Sequence, residues 1–396
     1  MICNKLDNKK AALFEVSKSK NKICILIIDH RVPEHDKDAG SRTMYQYLIE
    51  FVNMGYQVIF VPINFEKLGK YGDNLEQQGI KILYGPKYHQ NGFAQWLKNN
   101  ARNINIFYLL RPNIANKYLE LIREHNNKST IIYNSVDFHY LRLEREYLLT
   151  NNCETKRNAA HYKKIEFEIF QKVDLVVTIS DYERKVFERE IPNNQIKVIP
   201  TYIYSNQFPL SSNESFYDRK GILFVGGFSH RPNEDGLMWF ICNEWEAIKR
   251  SIPDIVLNVV GSNVPKDIKR FSIDPQINIL GYISDESLEN LYNSCRVVIA
   301  PLRYGAGVKG KVIEAIAQGV PIVTTDIASE GIIDKDNVVK NVTIRNSFSN
   351  SLIELYTNEK LWKNFRLQQI KYANKYYSEK AAKDMIQNIF TTKWRK

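Results

Sequence analysis

GILFVGG, residues 221–227, is a short apolar run closed by two glycines, and it lies just past the middle of this 396-residue chain. A run of this length that ends in glycine is typical of a buried strand followed by a sharp turn. After it, strand-like runs alternate with helix-like stretches. The alternation predicts a parallel, doubly wound α/β domain, with strands at 255–261, 277–281, 296–302 and 320–325 and helices over about 233–250, over 285–294 and up to about residue 318.

The first half of the chain shows the same alternation. Two such series predict two Rossmann-like domains, each with its own core, that face each other across a cleft. The predicted strands lie at 23–29, 57–61, 80–84, 104–110, 130–136, 174–180 and 196–200, and helices are expected over about 41–54, in the charged stretch after 136 and from about Asp181.

A polar, Ser/Asn-rich segment without periodicity separates the two series and is typical of an interdomain linker. The last helix, over about 378–390, is expected to return across this linker to the first domain. We therefore divide the chain into a lysine-rich leader (1–22), an N-terminal domain (23–200), a linker (201–220), a C-terminal domain (221–377) and a C-terminal helix segment (378–396).

Composition is that of a globular protein, with 44% hydrophobic and 25% charged residues. No apolar run approaches the roughly 20 residues of a membrane-spanning helix, and residues 1–22 lack the apolar region of a secretory signal. We therefore expect a cytoplasmic protein. The five cysteines are scattered, so neither a disulfide framework nor a zinc site is expected.

The net charge of +11 is spread along the chain instead of being concentrated in one tail. No zinc-finger, RRM or KH signature accompanies it, so no nucleic-acid partner is expected. A basic surface of this kind suits anionic small molecules, and it also suits peripheral contact with the anionic inner face of a membrane.

The segment RYGAGVKGKVIEAIAQG, residues 303–319, follows a predicted strand and is the most informative part of the chain. Ligands of open α/β sheets bind beyond the carboxyl ends of the strands. Gly305, Gly307 and Gly310 allow the backbone to turn tightly and approach a ligand, and the helix that follows presents free N–H groups to an anion. Lys309 and Lys311 add positive charge where the helix dipole is already positive. This arrangement favours a phosphate site.

Glu314 lies one turn further along the same predicted helix, where its carboxylate could accept hydrogen bonds from two vicinal hydroxyls. A diphosphate at the helix start and a ribose one turn later would describe a nucleotide. The alternative is an exposed lysine pair and a glutamate with an intrahelical partner, and spacing alone leaves both interpretations open.

A second anion-binding loop is predicted after the strand at 222–225. Gly226 and Gly227 end that strand, Ser229 or Asn233 could cap the following helix, and Arg231 offers a guanidinium suited to bidentate phosphate contact. The alternative is an ordinary Gly-Gly turn.

These motifs together resemble the retaining glycosyltransferase family 4, which has the GT-B fold. The resemblance rests on FVGGFSHRPNEDGLMWF, GAGVKGKVIEAIAQGVPIVTT and SEGI in the C-terminal half, and on DHRVPEHDKDAGSRTMYQYLIEFVNMGYQV, YNSVDFHYLRLERE and DLVVTISDYER in the N-terminal half. It covers nearly the whole chain from about Lys22. It implies a nucleotide-sugar-binding C-terminal domain and an acceptor-side N-terminal domain.

The resemblance implies roles for individual residues of the C-terminal domain. Glu314 corresponds to the second acid of the family's Glu-x7-Glu element, which holds the ribose, whereas Ala306 stands at the position of the first acid. Gly227 replaces the family's usual arginine. Arg231, Lys309 and Lys311 would therefore supply the diphosphate charge. Beyond the strand at 320–325, Asp326 and Glu330 could reach the donor sugar, and Glu330 is the preferred candidate.

On the acceptor side, Gly40 and Ser41 open a helix where the family has a glycine loop near the donor phosphates. Asp137 and His139 follow a strand, and His139 resembles the histidine that contacts the transferred sugar or its phosphate. The alternative is a histidine that fills or caps a domain edge. Weaker candidates, which also fit a salt-bridged surface, are Arg111, Arg142 and Glu146.

The resemblance implies a retaining, metal-independent sugar transferase with no covalent protein nucleophile and no cofactor beyond the nucleotide-sugar substrate. Its acceptors would be glycans, lipid-linked or protein-linked, in surface polysaccharide or glycoconjugate synthesis. Alternatives on the same fold are a catalytically inactive nucleotide-sugar-binding protein and an epimerase. A metal-dependent GT-A enzyme would bind its metal through an Asp-x-Asp motif, and residues 36–38 and 334–336 both match that motif. An NAD-dependent oxidoreductase would need a G-x-G-x-x-G motif after the first strand of a domain, and neither domain has one there.

Overall fold

A computed structural model describes residue 16 and residues 22–190, 196–199, 216–342 and 347–391. The described part of the first half forms seven strands and seven α-helices. In chain order they are β1 (Cys24–Asp29), α1 (Ala39–Asn53), β2 (Gln57–Pro62), α2 (Lys70–Gln77), β3 (Lys81–Ile82), α3 (Gly92–Asn100), β4 (Ile106–Leu110), α4 (Pro112–His125), β5 (Thr130–Asn134), α5 (His139–Thr150), α6 (Cys153–Lys172), β6 (Leu175–Thr178), α7 (Asp181–Glu190) and β7 (Ile196–Val198).

The described part of the second half adds six strands and nine α-helices. In chain order they are β8 (Ile222–Val225), α8 (Arg231–Asn243), α9 (Trp245–Ser251), β9 (Leu257–Val260), α10 (Lys266–Lys269), β10 (Ile277–Gly281), α11 (Asp285–Ser294), β11 (Val297–Ala300), α12 (Gly310–Ala317), β12 (Ile322–Thr325), α13 (Lys335–Val338), β13 (Lys340–Val342), α14 (Phe348–Thr357), α15 (Glu359–Tyr376) and α16 (Glu379–Thr391).

Both sheets are parallel throughout, with the strand orders β3-β2-β1-β4-β5-β6-β7 and β10-β9-β8-β11-β12-β13. The predicted α/β class with two doubly wound sheets is confirmed. The order reverses between β1 and β4 in the first sheet and between β8 and β11 in the second. Such switch points open a crevice at the carboxyl ends of the strands, and in the second sheet the loops after β8 and β11 therefore lie side by side.

Burial on both faces explains why the central strands are almost entirely apolar. Ile25, Leu26, Ile27 and Ile28 of β1 are all inaccessible to solvent and alternate between two cores, one on each face of the sheet. The last helix, α16, completes the second of these cores, where the Phe390 ring lies 4.6 Å from Phe51 and 5.5 Å from Tyr108.

The structure differs from the predicted elements in three places. The helix expected over 233–250 is two helices, α8 and α9, that meet at Glu244, whose carboxylate accepts the Ser349 N–H at 2.8 Å. The strand expected over 80–84 is reduced to two residues. Strand β13 (KNV) has no apolar pattern and forms because it pairs with β12, an example of tertiary context overriding propensity.

Several sequence-based assignments fall outside the described residues, namely most of the leader (1–15 and 17–21) and most of the linker (201–215). Over the described ranges, no helix combines the length and the apolar character that crossing a bilayer requires.

Candidate active site

The loop after β11 turns through glycines and buries a lysine at the start of α12. Gly305 and Gly307 have φ of 141° and 69°, values that L side chains rarely adopt. Lys309 occupies the N-cap position of α12, and its ammonium donates to the carbonyl oxygen of Gly307. Burial lowers the pKa of Lys309 to about 8.

Lys311 brings the second predicted anion loop against the first. Its Nζ lies over the Phe224 ring, 4.5 Å from the centroid, and donates to Asn233 Oδ1 at 2.5 Å. A Cβ on Gly226 would lie 2.5 Å from this ammonium, so only glycine leaves room for it. Burial, reinforced by the charge of Lys309, lowers the pKa of Lys311 to about 7.

The predicted cap of α8 was wrong. His230 occupies the N-cap position without a side-chain hydrogen bond. Asn233 lies inside the helix, where its amide joins the two loops instead: it donates to the Gly227 carbonyl at 2.7 Å and accepts from Lys311. Ser229 accepts a hydrogen bond from Asn263.

The buried Lys309 and the partly buried Lys311 therefore lie at the N-terminus of one helix. Gly310, the first residue of α12, follows Lys309 directly, and no carboxylate in the described ranges lies within ion-pair distance of Lys309 or Lys311. Burial lowers the pKa of Lys309 more than the charges of Glu330 and Glu183 raise it, so the positive charge is costly here, and the helix dipole adds to the cost. An anion bound here would relieve both.

Glu314 lies one turn further along α12, with its side chain 19% exposed, and burial raises its pKa. Its carboxylate faces Arg42 of α1, whose Nη1 lies 3.6 Å away, while Nη2 of Arg42 is 3.8 Å from Asp285. Arg42 was not among the predicted site residues. It brings the first domain within reach of the predicted ribose carboxylate.

Gly40 and Ser41 form the first turn of α1, and Asp38 caps that helix. The carboxylate of Asp38 accepts the Ser41 N–H at 2.8 Å and the Ser41 hydroxyl at 2.9 Å. A Cβ on Gly40 would lie 3.5 Å from Asp38, so Gly40 leaves this side of the turn uncovered. The N–H and hydroxyl of Ser41 are thus both taken by Asp38 in this structure, and the role of Gly40 and Ser41 at the donor phosphates stays a prediction.

Three of the four carboxylates in the Asp-x-Asp pairs have partners within the chain. Asp36 accepts from the Tyr71 hydroxyl at 2.6 Å, Asp38 caps α1, and Asp334 accepts from Asn337. No group of three or more metal-ligating side chains occurs within the described residues. The carboxylate of Asp326 likewise accepts a hydrogen bond from Lys335 Nζ at 2.6 Å.

Asp137 and His139 lie together beyond the end of β5. Nδ1 of His139 is 3.1 Å from the Asp137 carbonyl oxygen and 3.5 Å from its carboxylate. Because both neighbours are acceptors, the surroundings assign the ring proton to Nδ1 and leave Nε2 with a lone pair. Burial lowers the pKa of His139, although the carboxylate of Asp137 opposes the effect. The imidazole is therefore neutral at pH 7.

Asp137 remains ionised. Burial alone would raise the pKa of Asp137, but at the low pH where this carboxyl titrates His139 is cationic, and its charge and that of Arg142 outweigh burial and hold the pKa below its usual value. Arg142 Nε donates to the Asp137 carboxylate at 3.0 Å. Arg111, another weaker candidate, is bonded instead to Asp29 at the end of β1, with Nε 2.9 Å from Oδ1.

Arg145, which the sequence analysis missed, joins the domains. Its guanidinium donates to the Gly305 carbonyl at 2.6 Å and to both carboxylate oxygens of Glu330 at 3.2 and 2.7 Å. Glu330, predicted to reach the donor sugar, thus forms an ion pair with Arg145 of α5.

The loop after β11 also contacts the first domain directly. Ala306 packs against the core of the first domain, and a Cβ on Gly307 would lie 2.9 Å from Ile179.

Arg231 lies at the first residue of α8, but its side chain is 80% exposed and extends toward α5. Its Nη1 is 3.5 Å from Glu146, itself one of the weaker candidates. Arg231 is thus not gathered with Lys309 and Lys311 in this arrangement of the chain.

Comparison with known proteins supports the interpretation of the second domain. Residues 219–358 match the family described as Glycosyl transferases group 1. A protein of Klebsiella pneumoniae, described as an uncharacterized 44.6 kDa protein in the cps region, is 33% identical over 116 residues. That stretch covers 28% of this chain and 30% of the Klebsiella protein.

Solved structures resemble the whole chain at low sequence identity. Sucrose-phosphate synthase of Thermosynechococcus elongatus has a TM-score of 0.67 at 14% identity. The match covers 93% of this chain and 98% of the synthase. TarM has a TM-score of 0.69 at 11% identity, and the match covers 93% of this chain and 99% of TarM. Anabaena HepE, solved with UDP and glucose, has a TM-score of 0.64 at 13% identity, and the match covers 93% of this chain and 99% of HepE. The fold is GT-B, and with the matched domain it supports a transferase enzyme.

Proposed function

We propose that this chain is a retaining glycosyltransferase of family 4 that moves a sugar from a nucleotide-diphosphate sugar to a glycan or lipid-linked acceptor. The observation that carries the proposal is the pair of lysines at the start of α12, the buried Lys309 and the partly buried Lys311, whose pKa values are both lowered by burial. A diphosphate placed there would have the carboxylate of Glu314 one turn away for the ribose.

Stabilisation of the leaving group is the main chemical requirement. When the bond between the anomeric carbon and the β-phosphate oxygen breaks, both electrons go to that oxygen, and charge develops on the diphosphate. Fixed cations and helix N-termini that already point at this position stabilise the charge without reorganisation. Lys309 and the N–H groups of α12 supply this stabilisation, and Arg231 joins them if α8 and α5 separate.

The retained configuration needs no protein nucleophile in this proposal. The acceptor oxygen bonds to the anomeric carbon on the face that the phosphate leaves, and the departing phosphate oxygen takes the acceptor proton. The ionised Asp137 stabilises positive charge on the sugar ring. Nε2 of the neutral His139 accepts a hydrogen bond from a sugar hydroxyl.

The relatives support a pathway and a first donor to test. The Klebsiella protein is described by its place in a cps region, which favours surface polysaccharide synthesis. HepE was solved with UDP and with UDP-glucose, and TarM of S. aureus with UDP. A UDP-sugar is therefore the first donor to test. We propose that transfer needs no metal, so activity should persist in EDTA.

A panel of UDP-, GDP- and dTDP-sugars tests the function. At 100 times its dissociation constant, the true donor should add about 2.7 kcal/mol to the free energy of unfolding, measured as a thermal shift. Slow release of the nucleoside diphosphate should accompany binding. Binding without release or transfer would favour an inactive binding protein, and a new nucleotide sugar formed without any acceptor would indicate an epimerase. Failure of every donor to bind would refute the proposal.

We also propose a cytoplasmic protein that docks on the inner face of a membrane through the turn between α5 and α6. Leu148 and Leu149 are 70% and 46% exposed there, and Lys156 and Arg157 are exposed on the following turn of α6. Apolar side chains beside cations are typical of surfaces that bind anionic lipid.

Vesicle sedimentation tests this surface. The protein should sediment with vesicles that contain anionic lipid at low salt, and a Leu148→Ser/Leu149→Ser variant should bind several-fold more weakly. The matched control is Leu367→Ser, which replaces an exposed leucine on α15. Equal binding to neutral vesicles, or unchanged binding by the double variant, would contradict the assignment.

A further inference from the structure

Helix α5 begins without a capping side chain of its own. Phe138 occupies the cap position and provides no side-chain acceptor, although the first N–H groups of a helix have no partners within it. Two carboxylates from other helices take these groups. Glu183 of α7 accepts the Phe138 N–H at 3.3 Å, while Glu166 of α6 accepts the N–H groups of His139 at 3.1 Å and Tyr140 at 3.2 Å.

Burial disfavours the charged form of both glutamates. Both side chains are fully buried, and burial raises the pKa of Glu166 to about 8 and that of Glu183 to about 7. The cost of burying the charge therefore exceeds the stabilisation from the N–H groups and the helix dipole. Asp137 adds to this cost at both positions. With its pKa at about 8, Glu166 is mostly protonated at pH 7, and its oxygens still accept the N–H groups of the helix.

The two glutamates bind differently. Glu183 uses one oxygen for the Phe138 N–H and the other for the Thr178 hydroxyl. A glutamine at position 183 keeps both contacts, because its amide can donate to that hydroxyl. Glu166 uses each oxygen for an N–H of the helix. A glutamine there must turn its NH₂ toward one of these donors and lose a bond.

Glu166 also faces the imidazole that its contacts hold in place. Its Oε1 lies 3.8 Å from Nδ1 of His139, on which the carbonyl and carboxylate of Asp137 also converge. The distance to the ring is beyond hydrogen-bond length, so Glu166 acts on His139 through the backbone N–H that it accepts. The Asp137 carbonyl, 3.1 Å from Nδ1, keeps the proton on that nitrogen as long as the first turn of α5 holds the ring beside it.

We propose that Glu166 is a positioning residue that fixes the first turn of α5 and holds His139 as the Nδ1–H tautomer, with Nε2 free to accept from the substrate. The effect on sugar transfer rests on the proposed function, whereas the tautomer does not.

The test combines NMR with kinetics. Protein labelled with ¹⁵N-histidine should give long-range ¹H–¹⁵N correlations of the Nδ1–H form for His139, identified by its loss in His139→Asn. Glu166→Gln should add the Nε2–H form and lower kcat about tenfold, with the donor KM little changed. Glu183→Gln should have a smaller effect, and Glu168→Gln, on the exposed face of α6, is the matched control.

Each outcome has a defined meaning. An Nε2–H tautomer in the wild type would overturn the inference without any variant, as would a wild-type spectrum and kcat in a folded Glu166→Gln protein. Absence of transfer by every protein, with the tautomer as expected, would instead refute the proposed function and leave the positioning role standing.

Discussion

Replacing Lys309 by methionine should lower sugar transfer about 100-fold, the effect of removing one preorganised group that stabilises developing charge. The same change should stabilise the free protein by on the order of 2 kcal/mol at pH 7, because burial lowers the pKa of Lys309 to about 8 and methionine fills the same space without charge. Transfer kinetics and urea unfolding measure the two effects.

The expected loss of activity together with a gain in stability makes this a strong test. Lys335→Met removes a partly exposed lysine of the same domain, one that pairs with Asp326, and should change neither quantity much. A lysine that serves only as structure would lose stability when replaced. Loss of both stability and activity in Lys309→Met would therefore contradict the diphosphate assignment.

Replacing Arg145 by methionine should destabilise the protein by about 3 kcal/mol, because it leaves the buried carboxylate of Glu330 without its partner. It also removes the bond to the Gly305 carbonyl, so the donor loop loses its link to α5. Thermal unfolding and the donor KM measure the two effects.

The double variant Arg145→Met/Glu330→Gln provides the control. With both charges gone, most of the stability should return, while donor binding should stay weak because the link to the loop is still absent. Equal stability of the single and double variants would show that the ion pair contributes little to the domain contact.

The sequence predicted the parts of the fold that local pattern determines. Continuous apolar runs such as 23–29 specify buried parallel strands, and the positive φ of Gly305 and Gly307 explains why that loop needs glycine. Strand β13 was missed because its pairing with β12 creates it.

The domain contacts could not be predicted in the same way. Arg145 and Glu330 are 185 residues apart in sequence, and Lys311 and Asn233 are 78 residues apart. One local signal was available for Glu183, since Ser180-x-x-Glu183 resembles a capping box. It was misleading for the side chain, because the carboxylate turns to Phe138 and Thr178. Such partners are set by how distant strands place their loops.

Calorimetric titration of a nucleoside diphosphate, UDP first, tests the central claim most directly. With the pKa of Lys309 at about 8 and that of Lys311 at about 7, the free protein holds fewer protons at pH 8 than a complex in which a diphosphate raises both pKa values. Binding in two buffers of different ionisation enthalpy should show uptake of about one proton, and affinity should fall from pH 7 to pH 9. Binding without proton uptake, and with no change in affinity across this range, would contradict a diphosphate site on these lysines.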